Sequence, residues 1–462
     1  MLKWHLDMNA DFLSLVIMIL KKMTSLRKMS RYFSCSLLVS ILILLLPVLV
    51  FSEEPEEIVP PCFTGSELEK VREWEKTWAG EKVNYQNVEQ VKDFLPDFLV
   101  QMMKEPKKWG TSDLWFEVVP YRYCLRSKGF LEATKKHSPV AKLDPKGFKT
   151  PWGEVGPDEY LIGYDKGEMA GYPFPKPKTG LEMAWNFDSN TSGDNSKSSV
   201  FGEVVNCRTG AERHAYQPGN TMYWTGRTST PPIPKIEDNP KGIRMASTLT
   251  LIEPVDMYGT KYLNIRYTDP RKEDDTYIWI AMYRRIRRMS TTERNDTIDG
   301  SDASYRDGGS YSGHINRNTY KFLEVKDMLA CRHQDGDKLV KVKGQAMWSG
   351  QQRERCKVYL VAVTDKDPGR VYSKELWYLD GETWHIPYKE CWDLQGRLWR
   401  ALDSQLGYKQ NIRGEPITCQ VGYNTTDQIR LHGCPNHNTE QEFGIELSPD
   451  IFTVKYIQRI GY

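Results

Sequence analysis

The segment Tyr277–Ser290, YIWIAMYRRIRRMS, constrains the fold more than any other part of this chain. Its first half alternates large apolar residues with small or polar ones, and its second half, RRIRR, sets Ile286 between two pairs of arginines. Alternation is typical of a β-strand, because successive side chains of a strand point to opposite faces of the sheet. We therefore predict one long strand over Tyr277–Arg288, apolar at its beginning and cationic at its end.

Strand candidates of similar character recur along the second half of the chain. Short turn signals, of which Asp380-Gly381 is the strongest, separate several of them. Neighbouring strands with short links pair antiparallel, since a parallel crossover needs about a dozen residues. The sequence thus predicts an α+β fold that is mainly β, with one large antiparallel sheet and helical additions. The further candidates are Thr221–Thr225, Arg244–Ile252, Tyr262–Thr268, Thr319–Val325, Lys357–Thr364, Val371–Leu379, Thr383–Trp392, Arg397–Gln405, Thr418–Tyr423 and Gln428–Leu431.

Two helices are predicted in front of the sheet. Overlapping capping boxes at Thr64 and Ser66 precede apolar residues at helical spacing, and a second periodic run contains Pro96, which must kink the helix or begin a new turn. We assign residues 53–190 to a helical and irregular segment and residues 191–462 to the β-rich body. The polar stretch 189–199 is predicted to be an exposed loop between them, within one continuous domain.

Residues 1–52 have the layout of a secretory signal peptide. Cationic residues between positions 21 and 31 precede the apolar run Phe33–Phe51, and the acidic stretch EEPEEIVPP follows from Glu53. We expect cleavage before Glu53 and export from the cytoplasm. An uncleaved membrane anchor is the alternative, and Met23 and Met29 are alternative starts.

Composition narrows the function classes. Lys+Arg 63 against Asp+Glu 61 leaves a formal net charge of +2, which argues against bulk nucleic-acid binding. Of the 9 cysteines, Cys35 lies in the signal segment and the others belong to the mature chain. That even number predicts disulfides in an exported protein, with no pairing preferred; free thiols and a metal site are the alternatives. No C-x-x-C spacing occurs, and neither a metal nor a cofactor is predicted.

Two further segments stand out from the strands. The acidic insert at 297–313, TIDGSDASYRDGGSYSG, lacks the spacing of a calcium loop and is predicted to be a long, flexible loop.

The stretch 171–186, GYPFPKPKTGLEMAWN, has a proline at every second position from Pro173 to Pro177, which favours an extended arm. Thr179 and Glu182 then form a capping box for a short helix.

At this proline arm the chain resembles a known family. GYPFPKPKTGLEMAWN is similar to the G-x-PFP…GLE…WN motif of the DUF1329 family of exported proteins, which are related to outer-membrane lipoprotein-sorting proteins of the LolA/LolB kind. YIWIAMYRRIRRMS resembles the family's AWVY…RRVRR text, and residues 369–401 resemble its strand–DxDSW–strand–D-x-x-G-x-LWR segment. The chain departs from the family at residues 319–323, where TYKFL replaces a sequence close to YDWKL.

The resemblance implies a strongly curved antiparallel sheet, an unclosed barrel of the LolA/LolB kind, with helices covering its concave side. Such a fold leaves an apolar cavity that holds acyl chains. The resemblance also implies the periplasm of a Gram-negative bacterium, with association to the outer membrane. Implied partners are outer-membrane β-barrel proteins and efflux-type transporters.

From this we expect a periplasmic carrier or chaperone for a lipid, a lipoprotein or another amphiphile. The alternative is an envelope scaffold that binds a protein partner through a sheet edge or through the proline arm at Pro173, Phe174 and Pro175. An enzyme is not expected, because the sequence holds no G-x-S-x-G, H-E-x-x-H or Walker motif. The candidate ligand-binding residues are Trp279, Ile280, Met282, Tyr283, Arg285 and Arg287.

Strand alternation divides the four arginines of this segment. It sends Arg285 and Arg287 to one face, and Arg284, Ile286 and Arg288 to the other. At most one of the two sets can then contact a given ligand.

Overall fold

One large sheet dominates the computed structural model, which describes residues 58–298 and 300–459, with the side chains of Thr291 and Thr292 left aside. Ile58–Tyr462 is one compact unit; the predicted signal peptide lies outside the described residues. The strands are β1 Lys82–Val83, β2 Phe116–Val118, β3 Phe148–Thr150, β4 Gly153–Val155, β5 Asn195–Asn206, β6 Ala211–Tyr223, β7 Ile243–Thr250, β8 Lys261–Tyr267, β9 Asp275–Ile280, β10 Arg285–Arg288, β11 Asn318–Ala330, β12 Gln351–Asp365, β13 Lys374–Asp380, β14 Tyr388–Trp392, β15 Leu398–Gln410, β16 Pro416–Asp427 and β17 His432–Phe443.

Fifteen of these strands form the large sheet, in the order β1-β2-β12-β13-β14-β15-β16-β17-β5-β6-β7-β8-β9-β10, with β11 also on β12. The pairings are antiparallel except that β2 runs parallel to β12. Within the described residues β10 pairs with β9 alone, so the sheet does not close on itself. The predicted fold class is confirmed: a mainly β chain with a large unclosed sheet and few helices.

The sheet has two faces with different coverings. We call inner the face that carries Met245, Tyr262 and Trp377, and outer the opposite one. The α-helices are α1 Gly65–Trp78, α2 Asp97–Lys104, α3 Pro106–Trp109, α4 Lys128–His137, α5 Gly180–Ser189 and α6 Val454–Arg459. Helix α5 packs on the inner face in one core cluster with Trp377, whereas α1 to α3 cover the outer face at β12–β15 and α6 covers it at β7–β9.

The short helix predicted after the proline arm is confirmed. Thr179 caps α5: its Oγ1 accepts from the backbone N–H of Glu182 at 3.2 Å, and its own N–H donates to Glu182 Oε2 at 3.2 Å. This reciprocal bonding satisfies donors that a helix start leaves without partners. Pro96, expected to kink the second helix or begin a new turn, stands just before α2 and so begins a new helix.

Several strand and loop predictions are wrong. The long strand over Tyr277–Arg288 is a hairpin, because Ala281–Tyr283 form one turn of 3-10 helix and Arg284 adopts a left-handed conformation with φ 49°. The exposed loop at 189–199 already contains the beginning of β5. The strand predicted at Gln428–Leu431 is the turn between β16 and β17.

The described residues of the insert at 297–313, that is, all but Asp299, pack into the protein, contrary to the predicted flexible loop. Its residues Arg306 and Asp307 are 0% and 5% exposed, since both form ion pairs with strands of the inner face.

The disulfide prediction is not confirmed. The eight cysteines of the described residues are all buried and carry free thiols. Burial raises the pKa of Cys331 to about 12, that of Cys419 to about 12 and that of Cys434 to about 12. Among the described helices none is long and apolar enough to cross a membrane.

Candidate functional site

A cavity of about 580 Å³ lies on the inner face of the sheet. Strands β5 to β9, β16 and β17 contribute its wall, and residues 289–317, of which Asp299 lies outside the described part, contribute its cover. We call this covering segment the cap. The apolar residues of the lining include Val200, Val204, Met245, Leu249, Leu251, Met257, Tyr262, Met289, Ile298 and Tyr305.

Strand alternation explains the composition of this wall. On β7, Met245, Ser247 and Leu249 line the cavity, while the neighbouring Ala246 packs in the core on the outer face. On β8, Tyr262 lines the cavity and Leu263 is buried on the other side. The wall thus mixes apolar with small polar groups, while the apolar residues between them form the core beneath α6.

An ionic cluster holds the cap to the sheet. Its members are Arg306, Asp307, Asp365, Glu375, Lys389 and Arg400, and none has a side chain more than 5% exposed. Arg306 Nη1 lies 3.0 Å from Asp365 Oδ2, and Arg306 Nη2 contacts Glu375 Oε1. Lys389 Nζ lies 2.5 Å from Asp307 Oδ1 and 3.2 Å from Glu375 Oε2.

Hydrogen bonds complete this cluster around Asp307. The Tyr372 hydroxyl donates to Asp307 Oδ2 at 2.7 Å, and Arg400 Nη1 donates to the Tyr372 oxygen at 2.8 Å. Burial alone would raise the pKa of Asp307, but Lys389, Arg306 and Arg400 together hold it well below its usual range. Charges so deeply buried are tolerated only when they are paired and hydrogen-bonded, as these are.

The lining near the ionic cluster includes Arg266 of β8 and two arginines of the cap, Arg294 and Arg317. Arg266 is well paired, because its Nε lies 3.1 Å from Asp274 Oδ2 and its Nη2 donates to Ser312 Oγ at 3.0 Å. Asp274 also faces His314 Nε2 at 3.1 Å. Burial would raise the pKa of Asp274, but Arg266 and His314 keep it far below its ordinary value.

Arg294 and Arg317, which we call the arginine pair, are less well matched. Arg317 has a side chain that is 7% exposed, and its nearest ionic partner, Asp367 Oδ2, is 3.7 Å away. Its guanidinium stands 4.4 Å from the ring centroid of Trp152. Burial, and then the charge of Arg294, lowers the pKa of Arg317. The sequence contains no signal for this pair, because its two members are isolated in the chain and influence each other only in the folded protein.

The predicted ligand-binding residues do not form one surface. Ile280 lies on the inner face, where it packs against Leu251 and Tyr262 of the cavity region. Trp279 points to the outer face, in the cluster beneath α6. Met282 and Tyr283 lie in the hairpin turn and are 68% and 65% exposed. None of these four is among the residues that line the cavity.

The predicted arginines lie on the edge strand β10. Arg285 pairs in register with Ile280 and Arg287 with Ile278, so both lie on the inner face, as strand alternation requires. Arg287 is 57% exposed and forms an ion pair with Glu293. Arg288, on the outer face, pairs with Asp275. Neither Arg285 nor Arg287 lines the cavity.

The predicted partner-binding arm is packed against the protein. Pro173 is buried and Pro175 is half-buried. The Phe174 N–H donates to Asn186 Oδ1 at 3.0 Å, and Asn186 Nδ2 donates to the Phe174 carbonyl oxygen at 2.6 Å. The side chain of Phe174 joins the core cluster of α5. The arm therefore connects to α5 with its apolar groups turned inward.

In the part of the chain that the structure describes, two groups of side chains come close enough to hold a metal ion. They are Glu203, Glu212 and His214, and, within the ionic cluster, Asp307, Glu375 and Cys391. Lys341 contacts Glu203 in the first group, and Lys389 contacts Asp307 and Glu375 in the second. A lysine thus already forms ion pairs with the acids of each group.

The solved structures that resemble this chain include three bacterial proteins. The chain is 17% identical to a domain named as an outer membrane lipoprotein-sorting protein from Vibrio parahaemolyticus, over 61% of this chain and 98% of that one, with a TM-score of 0.45. It is 15% identical to a DUF1329 family protein from Desulfovibrio piger, over 60% and 97%, with a TM-score of 0.45. For a LolA superfamily protein from Nitrosomonas europaea the identity is 13%, the coverage 61% and 100%, and the TM-score 0.39.

Likenesses at these identities and TM-scores do not indicate a function. No curated protein matches the chain significantly. The family model described as "Protein of unknown function (DUF1329)" matches residues 82–457, which is most of the chain and includes the wall and the cap of the cavity. The chain belongs to the DUF1329 family.

Proposed function

We propose that this protein is a carrier or chaperone that binds a lipid, a lipoprotein anchor or another amphiphile in the cavity of its inner face. The observation that carries the proposal is the cavity itself, about 580 Å³ between an apolar and polar sheet wall and a cap held down by buried ion pairs. Sites for single small ligands have volumes of about 300–1,000 Å³. This cavity therefore suits one small amphiphile.

The chemistry of the lining supports the same role. Leu249, Leu251 and Met257 offer apolar surface along one side of the cavity. Burying an acyl chain there gains about 0.8 kcal/mol for each methylene group removed from water. Polar groups such as Asn264 and Asn436 lie on the same wall and provide hydrogen bonds for a headgroup. The proposed role is non-enzymatic.

We place this carrier in the periplasm of a Gram-negative bacterium, on the strength of the signal peptide predicted in residues 1–52. The predicted outer-membrane β-barrel and efflux-type transporter partners belong to the same proposal. The scaffold alternative gains little support, since the proline arm is folded against α5 rather than presented to a partner.

The proposal is tested by what the protein carries and takes up. The full chain is exported in a Gram-negative host, the mature protein is purified, and its extract is analysed by native and denaturing mass spectrometry. Uptake of a fluorescent fatty acid is then measured. We expect a co-purifying amphiphile and saturable uptake of the probe; an apo mass without uptake would refute the carrier.

A pair of variants on β6 locates the binding. Ala215 lines the cavity, whereas Ala211 at the beginning of the same strand is exposed and outside the lining. Ala215→Trp fills the cavity, so we expect its affinity for the probe to fall at least about tenfold. Ala211→Trp adds the same side chain outside the cavity and should bind like the wild type. Equal affinities of the two variants would place the probe elsewhere.

A further inference from the structure

The Arg317 guanidinium is buried in the cavity lining and forms no hydrogen bond within the described residues. Its side chain is 7% exposed, and its Nε is buried without a hydrogen-bond partner. Its neighbours are Asp367 at 3.7 Å and the Trp152 ring at 4.4 Å. A guanidinium has five N–H donors, and leaving them unpaired away from water is costly.

Arg294 repeats this pattern on the cap. Its Nη1 is buried without a hydrogen-bond partner, and its ionic contact with Asp365 is long, at 3.5 Å. Asp365 is already engaged by Arg306 at 3.0 Å, so that carboxylate is shared between two cations. Arg294 Nη2 reaches only the Ser312 carbonyl oxygen, at 3.4 Å. This second cation is therefore also incompletely matched.

Arg266, in the same cavity lining, is by contrast fully paired. It has its own carboxylate in Asp274 and a second acceptor in Ser312 Oγ. Of the four arginines in the cavity lining, Arg213 pairs with Asp256 and Arg266 with Asp274. Arg294 and Arg317 keep free donors and excess positive charge. A planar guanidinium recognises carboxylate and phosphate oxygens through paired N–H bonds, which fits two free guanidinium groups in one lining.

We propose that Arg294 and Arg317 bind the anionic headgroup, a carboxylate or a phosphate monoester, of a single-chain amphiphile whose chain lies along the apolar lining. The inference rests on the proposed carrier function and adds the chemical class of its ligand. The anion supplies the acceptors that the arginine pair lacks, and the capped cavity shields the pair from bulk water. Neutral amphiphiles of the same length bind more weakly, because they leave both cations unpaired.

A headgroup series on the wild-type protein tests this without any substitution. Laurate, dodecyl phosphate and dodecanol share one chain and differ in the headgroup, and their dissociation constants are measured by calorimetry and by tryptophan fluorescence. We expect at least one anion to bind about tenfold or more tightly than dodecanol, a ratio that corresponds to about 1.4 kcal/mol. The stronger anion identifies the headgroup as a carboxylate or a phosphate monoester.

The outcomes separate this inference from the carrier proposal. Equal affinity for all three probes would refute the anion subsite and leave the carrier intact, whereas no binding of any probe would refute both. In Arg317→Gln the preference for the anion should disappear while dodecanol still binds. Arg285→Gln removes an arginine of the exposed edge strand and should keep the preference. An equal loss in Arg285→Gln would move the headgroup site to β10 and overturn the proposal.

Discussion

Two groups of buried charges lie at the cap and are matched to different degrees. In the ionic cluster, Arg306 meets Asp365 and Glu375, and Lys389 meets Asp307 and Glu375, all on side chains at most 5% exposed. In the arginine pair, the closest carboxylates are 3.5 Å and 3.7 Å away. Both groups lie under the same cover, so burial alone does not explain the difference.

The difference in pairing indicates a different role for each group. Buried charges that are mutually satisfied hold elements in one arrangement, and removal of one partner leaves the others stranded. Buried charges that lack acceptors reduce the stability of the empty protein and await a ligand that supplies them. We therefore assign the ionic cluster to holding the cap and the arginine pair to binding.

The largest effect is expected at Arg306. Arg306→Met leaves Asp365 and Glu375 without their main cation, so the free energy of unfolding should fall by about 3–5 kcal/mol, as it does when other buried pairs are broken. Urea denaturation followed by circular dichroism measures it. Arg285→Met, on the exposed edge strand, is the control and should stay within about 0.5 kcal/mol of the wild type. A loss below about 1 kcal/mol for Arg306→Met would contradict the assignment.

A smaller effect is expected from acid acting on Asp307. Its folded pKa lies well below its ordinary value, so its stabilising contribution is complete above the unfolded pKa of about 3.9 and is lost as the pH falls towards the folded pKa. Asp307→Asn has no such group. The difference in free energy of unfolding between wild type and variant should therefore be constant from pH 7 to about pH 4 and narrow by about 2–3 kcal/mol below it.

The matched acid for this pH series is Asp256. It is exposed and pairs with Arg213 at 3.1 Å on the surface. In Asp256→Asn the difference from the wild type should stay within about 0.5 kcal/mol at every pH, since surface ion pairs contribute little. A pH-independent difference for Asp307→Asn would show that the carboxylate is not held ionised by the cluster.

The smallest effect, and the one of opposite sign, is expected at Arg317. Arg317→Met keeps an unbranched side chain in the cavity lining and removes a poorly paired buried charge. The free energy of unfolding of the empty protein should therefore rise by about 1 kcal/mol. The same urea series, on delipidated protein, measures it. A decrease of about the same size in the free energy of unfolding would mean that Arg317 stabilises the fold as Arg306 does. The two groups would then not differ in role.

Much of the fold follows from local sequence patterns. The Asp380-Gly381 turn and the apolar strands around it predicted antiparallel neighbours, and β13 to β15 pair in that way. The capping box at Thr179 predicted the start of α5 correctly, because it depends on residues three apart. Strands β5 and β17 were not recognised as such. Their polar residues, such as Asn436 and Asn438, line the cavity, so these strands lack the apolar alternation of a sheet with a fully packed face.

By itself, then, the sequence determined a mainly β chain, its family and the parity that places Arg285 and Arg287 on one face of β10. Which arginines line the cavity could not be predicted from the sequence, because it depends on the tertiary structure. The RRIRR run lies on an exposed edge strand. Arg294 and Arg317, which belong to no sequence motif, both lie in the cap and line the cavity. The physical reason is that alternation and capping act between near neighbours, while the matching of buried charges depends on partners far apart in the chain, such as Arg306 and Glu375.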